Sequence, residues 1–496
     1  MSALRRIMSG SMASATAFWL VGSIGLAPHA AALTCEAPEA NVDPPPAQSA
    51  PTIQTPAPRA PRAPIPSYRR PRNANPRAPL PKLGPLISAL LNPNGRVSGP
   101  VRQQAAIVPP APNPPGAGQV PPGAGQMPPN AVPLAPEAAP TPPAAEPPPS
   151  IAGAPTSLVE WVTGPMGPNK TLERFGISGT DLGIMWDNGD PVNRQVLMAF
   201  GDTFGYCKVH GQQWRYNVLF RTSDQNLNDG ITVPPGVPNN NYSGSPVRSP
   251  AFSKQVIPGI KLAGTQEGMI PTAGIAIGRT QYMNFMSIKN WGRDGEWSTN
   301  YSAIAVSKDN GQNWGIYPQT VRPAAADSVP HARYIPGNEN FQMGAFLKTG
   351  DGYVYSFGTP SGRGGSAYLS RVPQGFIADL TKYQYWNGDQ NAWVPANPAA
   401  ATPVIPGPVG EMSAQYNTYL KQYLVLYTNG NNDVVARTAP APQGPWSPEQ
   451  LLVSSFQIPG GIYGPMLHPW ASGKDLYFNL SLWSAYDVML MHTELP

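Results

Sequence analysis

Residues 301–314 read Tyr-Ser-Ala-Ile-Ala-Val-Ser-Lys-Asp-Asn-Gly-Gln-Asn-Trp, and the last eight of them, from Ser307 to Trp314, carry the reading of the fold. A β-type apolar run ends in a turn where Asp309 can accept bonds from turn amides. Gly311 permits a positive φ there, and Trp314 is placed to plug between strands. The same texture recurs along the chain. Residues 195–203 lead to 216–222, then 269–277 to 281–288 and 301–307. Further on, 341–347 lead to 352–358 and 367–372, 411–417 to 422–427 and 433–438, and 464–468 to 475–482 and 487–492. These are five units of two or three short antiparallel strands, roughly 40–70 residues apart. No ten-residue stretch carries a helical stripe, so the domain is expected to be all-β. A β-sandwich would need fewer, longer pairings. Radially packed small sheets protect their strand edges, and a five-bladed β-propeller is the architecture expected.

The chain ahead of these units has a different composition. Most of the 65 prolines lie before Ala154. Arg5 and Arg6 precede an apolar stretch from Ala13 to Leu26, and Ala30-Ala31-Ala32 follows as a small-residue cleavage signal. Residues 1–32 are therefore read as a secretory signal peptide. A transmembrane anchor would need about 20 apolar residues. A lipoprotein anchor at Cys35 would need a small residue where Thr34 stands, and Arg5-Arg6 lacks the flanks of a twin-arginine signal. Residues 33–155, rich in Pro and Ala, favour polyproline II and cannot build a core. They are read as a disordered linker, with a PxxP recognition segment as the second reading and a transient helix over 84–91. Residues 156–496 form the folded domain.

The net charge of +5 belongs to the tether. Eleven of the 33 Lys and Arg residues lie before Thr156, against five of the 28 Asp and Glu, which leaves the domain near −1. Nothing in the domain asks for nucleic acid. The two cysteines, Cys35 and Cys207, are compatible with a disulfide in an oxidising compartment and equally with two independent thiols. No cysteine cluster, Walker loop, HExxH or G-x-S-x-G elbow is present. The sequence calls for no cofactor or metal, and leaves room for a structural Ca2+ in the funnel without showing one.

Ser307 to Trp314 has the S-x-D-x-G-x-x-W form of the Asp-box found in sialidase-like propellers, which is a structural motif. Chemistry is sought instead in Gly179-Thr180-Asp181-Leu182-Gly183 and Phe200-Gly201-Asp202-Thr203-Phe204. Each sets a carboxylate beside glycines at an end of a first-blade strand, and adjacent antiparallel strands would bring Asp181 and Asp202 together in the funnel. Paired carboxylates are what glycoside cleavage needs, one as proton donor and one as nucleophile or base. The competing reading is that both are Asx-type turn residues.

The segments GTDLGI (179–184), FGDTFG (200–205), FGTPSGRGGSAYLSRV (357–372), VGEMSAQYNTYLKQYLVLYT (409–428), YGPMLHPW (463–470) and YFNLSLWSAYDVMLM (477–491) resemble the domain-of-unknown-function 4185 family of mycobacteria and related actinobacteria. The resemblance spans about 172–495 and implies a propeller hydrolase of glycoside hydrolase family 183, with endo-D-arabinanase activity on the D-arabinan of cell-wall arabinogalactan or lipoarabinomannan.

Glu411 joins Asp181 and Asp202 as a candidate catalytic acid. Glu267 and Glu339 stand before other inner-strand candidates and are read as substrate-binding or as plain loop carboxylates. Trp186, Tyr463, Trp470 and Trp483 are candidates for stacking on furanose faces, although a Trp is often blade core. His331, His468 and Arg363 are candidates for contacting hydroxyls. The protein is expected to be secreted or held in the cell envelope, monomeric and without a membrane span after signal cleavage. Its expected partner is cell-wall polysaccharide. The alternatives are a non-catalytic glycan-binding propeller and a structural envelope protein.

Overall fold

The computed structural model describes residues 150–165, 167–205, 213–293 and 295–496. The signal peptide, residues 33–149 of the linker with the 84–91 segment, and both cysteines lie outside the described residues. Five antiparallel sheets are arranged as the blades of a β-propeller. The first blade contains Leu182–Asp187, Val196–Phe200 and Val218–Thr222. The second contains Gly268–Ile277, Thr280–Trp291, Trp297–Ser307 and Gly315–Ile316, with Arg322–Pro323 also pairing to the third of these. The third has five strands, Met343–Lys348, Tyr353–Thr359, Tyr368–Pro373, Gln384–Asn387 and Ala392–Pro395. The fourth has Met412–Asn417, Gln422–Thr428, Val434–Ala439 and Gln450–Val453. The fifth has Ile462–Leu467, Asp475–Leu482 and Asp487–Glu494, with Thr156–Trp161 added along its outer edge.

The first strand of each blade contacts its counterparts in the two neighbouring blades, so the five inner strands close a ring. Closure explains their composition. A strand covered on both faces reads as an apolar run, and Leu182–Asp187 and Ile462–Leu467 are buried almost throughout. The ring is latched by the most N-terminal described strand, Thr156–Trp161, hydrogen-bonded to the last strand of the chain. That strand is only half-buried, and its weak alternation gave no sequence signal. Burial begins slightly earlier, because Ile151 is fully buried and its N–H donates to Gln450 Oε1 at 2.7 Å.

Ser307 to Trp314 forms the turn its residues require. Asp309 Oδ1 accepts from Ser307 Oγ at 2.8 Å and from the Asn313 N–H at 2.9 Å. Gly311 has φ +77°, and Trp314 is buried edge-on to Trp186 at 6.5 Å. The turn also ties two blades together. The buried Arg221 of the first blade donates to Asn310 O at 2.8 Å, Ser243 O at 2.9 Å and Gln312 Oε1 at 2.9 Å. The blades differ from the sequence reading in strand number, since all but the first have four or five strands where two or three were expected, and the middle strand of the first blade is shorter, Val196–Phe200.

Candidate functional site

Hydrogen bonds between the two Gly-Asp motifs bring their carboxylates to one place. Gly179 and Phe204 form an antiparallel bridge, and the Thr180 and Thr203 hydroxyls lie 2.7 Å apart. Between these links Asp181 and Asp202 sit at the head of the first blade and line one open cleft. Leu182 and Gly183 both take positive φ, 71° and 70°, and the strand bulges there before regular pairing begins. A bulge of this kind re-aims a side chain beside a site. Gly201 leaves room for that carboxylate, because a Cβ there would press on Asp181 Oδ1 and displace it.

Asp181 is buried, and burial is the largest influence on its carboxyl, pushing its pKa up to about 7. The Tyr463 hydroxyl donates to Oδ2 at 2.9 Å and opposes that rise. Nearby Glu411 adds to it, while Arg363 and Tyr486 make smaller contributions in the lowering direction. Tyr463 is itself held well above its ordinary pKa by burial and by Asp181, so it remains a donor. Asp202 accepts from the Trp214 indole N–H at 3.1 Å, which fixes the orientation of its carboxylate.

Glu411 forms a two-bonded fork with Arg363, Nε to Oε2 and Nη2 to Oε1, both at 2.8 Å. The guanidinium also lies 4.6 Å from the centre of the Tyr463 ring. Asp181, Asp202, Tyr463, Arg363 and Glu411 are thus gathered from the first, third, fourth and fifth blades into one cleft. Apolar residues complete the lining: Trp291 and Trp297 from the second blade, with Met286, Met343, Met412 and Met466. These residues and Tyr486 were not singled out from the sequence. Trp291 and Trp297 face each other across the tip of one hairpin, a pairing that the register reveals and the sequence does not.

The remaining candidates lie elsewhere. Trp186 is buried between the first two blades, donating to Gln281 Oε1 at 2.9 Å. Glu267 stands at the head of the second blade, where Oε2 accepts from the Trp291 N–H at 3.4 Å. Glu339 accepts from Tyr334 Oη and the Gly337 N–H, each at 2.9 Å, as a loop carboxylate. His331 is exposed. Trp483 packs behind Tyr463, with ring centres 6.0 Å apart. His468 follows the far end of the fifth blade's inner strand. Burial drives its pKa down to about 4, so the ring is neutral, and Nδ1 accepts from the Trp470 N–H at 3.3 Å. Trp470 donates its indole N–H to Asp187 at the far end of the first blade's inner strand.

The family model described as "Domain of unknown function (DUF4185)" matches residues 166–492. Two curated fungal proteins are similar. Notoamide biosynthesis cluster protein J' of Aspergillus versicolor is 29% identical over 328 residues, which is 63% of this chain and 83% of that protein. Notoamide biosynthesis cluster protein J of Aspergillus sp. (strain MF297-2) is 27% identical over 333 residues, 65% of this chain and 84% of that protein. Among solved structures, a putative hydrolase from Bacteroides ovatus superposes with a TM-score of 0.43 at 14% identity, covering 65% of this chain and 88% of that one. A glycosyl hydrolase from Bacteroides ovatus gives 0.39 at 11% identity, covering 70% and 94%. The family model spans most of the propeller, from before Asp181 to beyond Tyr486, and the chain belongs to the DUF4185 family.

Proposed function

We propose that this protein is an exported glycoside hydrolase that cuts the D-arabinan of cell-wall polysaccharide. The observation that carries the reading is the pair of carboxylates in one cleft, with Asp181 held protonated up to about pH 7. A carboxylic acid kept neutral beside a second carboxylate is the division of labour that glycoside cleavage requires. Asp181 gives its proton to the departing glycosidic oxygen as the C–O bond breaks. Asp202 either attacks the anomeric carbon or takes a proton from the water that does. Tyr463 orients Asp181, and the Arg363–Glu411 fork sets the local charge.

The arabinan assignment rests on the family resemblance, as does export on the N-terminal segment. The decisive experiment incubates the purified protein with arabinogalactan and separates the products by chromatography. Oligosaccharide release that disappears in Asp181→Asn and Asp202→Asn supports the reading. Release that persists in both variants removes these two residues from the mechanism. Binding of arabinan with no change in chain length would instead favour a non-catalytic envelope lectin.

A further inference from the structure

The cleft lies at the heads of the inner strands; a second cluster of aromatic side chains lies at the other end of the third and fourth blades. Tyr353 begins the second strand of the third blade, whose far end, Thr359, pairs with the cleft residue Met343. Tyr416 lies four residues beyond the cleft residue Met412 and pairs with Tyr423. Tyr353 and Tyr416 are therefore some five strand residues from the cleft, about 15 Å.

The rings form two groups, one on each blade. Tyr353 and Trp393 sandwich the Arg371 guanidinium, at 4.4 and 4.2 Å from the ring centres. Trp386 packs on Trp393 at 5.2 Å, and Tyr416 on Tyr423 at 5.2 Å. Asp351 accepts from Tyr355 Oη at 2.9 Å, and Tyr353, Trp386, Trp393 and Tyr423 pack on one buried cluster shared by the third and fourth blades. Tyr416 is 40% exposed, and Tyr353, Trp386, Trp393 and Tyr423 are partly exposed.

We propose that this aromatic strip is a glycan-holding surface, separate from the cleft, that takes an uncharged polysaccharide chain. Two observations select that occupant. First, the hydroxyls of Tyr353, Tyr416 and Tyr423 and the indole N–H groups of Trp386 and Trp393 make no hydrogen bond to the described residues, while the Tyr355 hydroxyl does. Ring faces bordered by available donors and acceptors suit a ligand with C–H faces and many hydroxyls. A purely apolar partner would strip water from those five groups without replacing it. Second, the charges held among the rings are already engaged. Asp351 also accepts from Thr349 Oγ1 and from the Tyr353 N–H at 3.0 Å, and Arg371 lies between two rings while donating to Gln384 Oε1 at 2.8 Å. Arg371, the cation held among the rings, is thus occupied; the exposed Lys348 and Lys421 lie at strand ends beside the strip.

The proposal is independent of catalysis in the cleft, and the test keeps the two apart. The full-length protein, Asp181→Asn, Tyr416→Ala, and Tyr416→Ala/Tyr423→Ala are run through native gels containing neutral arabinan or anionic polygalacturonate. The expected result is retardation by arabinan for the wild type and for Asp181→Asn. Apparent affinity should weaken at least fivefold in the double variant, and polygalacturonate should have little effect. Tyr416→Phe/Tyr423→Phe, which keeps the rings, should retain an intermediate affinity, and unchanged melting curves confirm that all variants fold. Unretarded wild type, equal retardation of the wild type and the folded double variant, or stronger retardation by the anionic gel would each overturn the proposal. So would concentration-dependent self-association abolished by the same substitutions without any effect of arabinan, since that identifies the occupant as a second copy.

Discussion

Arg363 grips Glu411 through two parallel N–H···O bonds of 2.8 Å and stands against the Tyr463 ring that holds Asp181. Charge at this fork is therefore felt at the acid. Glu411 raises the Asp181 pKa and Arg363 lowers it. Glu411→Gln removes the first influence and leaves the second unbalanced, so both changes push Asp181 downward. The alkaline limb of the pH–rate profile, where the acid has lost its proton, should move about one unit toward lower pH. Activity at pH 7 should fall roughly fivefold while activity near pH 5 changes little, as initial rates on arabinan across pH 4–9 would register. An unshifted limb with uniformly reduced rates would mean that the fork serves only structure.

The division of roles between the two aspartates is separable by leaving group. A general acid contributes about 10²–10⁴-fold when the departing oxygen is a poor leaving group, and far less when that oxygen is already stable as an anion. Asp181→Asn is therefore expected to lose at least a hundredfold on arabinan but less than tenfold on a nitrophenyl arabinofuranoside. Asp202→Asn should lose a hundredfold or more on both. Comparing kcat/KM on the two substrates reads this directly, and equal losses in Asp181→Asn on both would deny it the role of acid.

The architecture was legible in the sequence because each blade repeats an apolar run, a Gly/Asn/Asp turn and another run, and because Ser307 to Trp314 is a complete local device. Asp181 and Asp202 were legible for a related reason, since the Gly-Asp setting marks a place where backbone and side chain crowd together. Trp186 has the same composition cues as a sugar-stacking residue, yet its position within Leu182–Asp187 turns it toward the second blade. The methionines of the cleft wall belong to four different blades and acquire meaning only when the ring closes. Glu411 was legible as a cleft residue but not as the partner of Arg363, because 48 residues and a blade boundary separate them.

The Asp181 carboxyl also makes the fold itself pH-dependent. Its pKa rises from 3.8 to about 7 on folding, so the native state binds this proton more tightly than the unfolded chain does. The associated stability is fully present below about pH 4 and is lost as pH rises toward 7, up to about 4 kcal/mol in all. Asp487, also buried and shifted upward, acts in the same sense, so the wild type alone does not isolate Asp181. The difference between wild type and Asp181→Asn does. Relative to wild type, the variant should gain stability steadily between pH 4.5 and pH 8 in urea unfolding, and parallel curves would contradict the shift.

The Asp309 turn offers the complementary case, a carboxylate whose role is structural. Besides the Ser307 hydroxyl and the Asn313 N–H, it accepts from Asn313 Nδ2 at 2.8 Å, and these bonds hold its pKa below the usual value despite partial burial. Asp309→Ala removes all of them and loosens the loop that Arg221 grips. The expected cost is about 1–3 kcal/mol. Because the folded pKa is depressed, the stabilisation by Asp309 is present above the unfolded pKa near 4 and is lost as pH falls further. The gap between wild type and variant should therefore be open at pH 7 and narrow toward pH 3, as paired urea titrations would record. Lying outside the cleft, the substitution should leave kcat/KM within about twofold at a temperature where the variant is fully folded. A large loss of activity in folded Asp309→Ala would show that the turn transmits its geometry from the blade interface to the cleft.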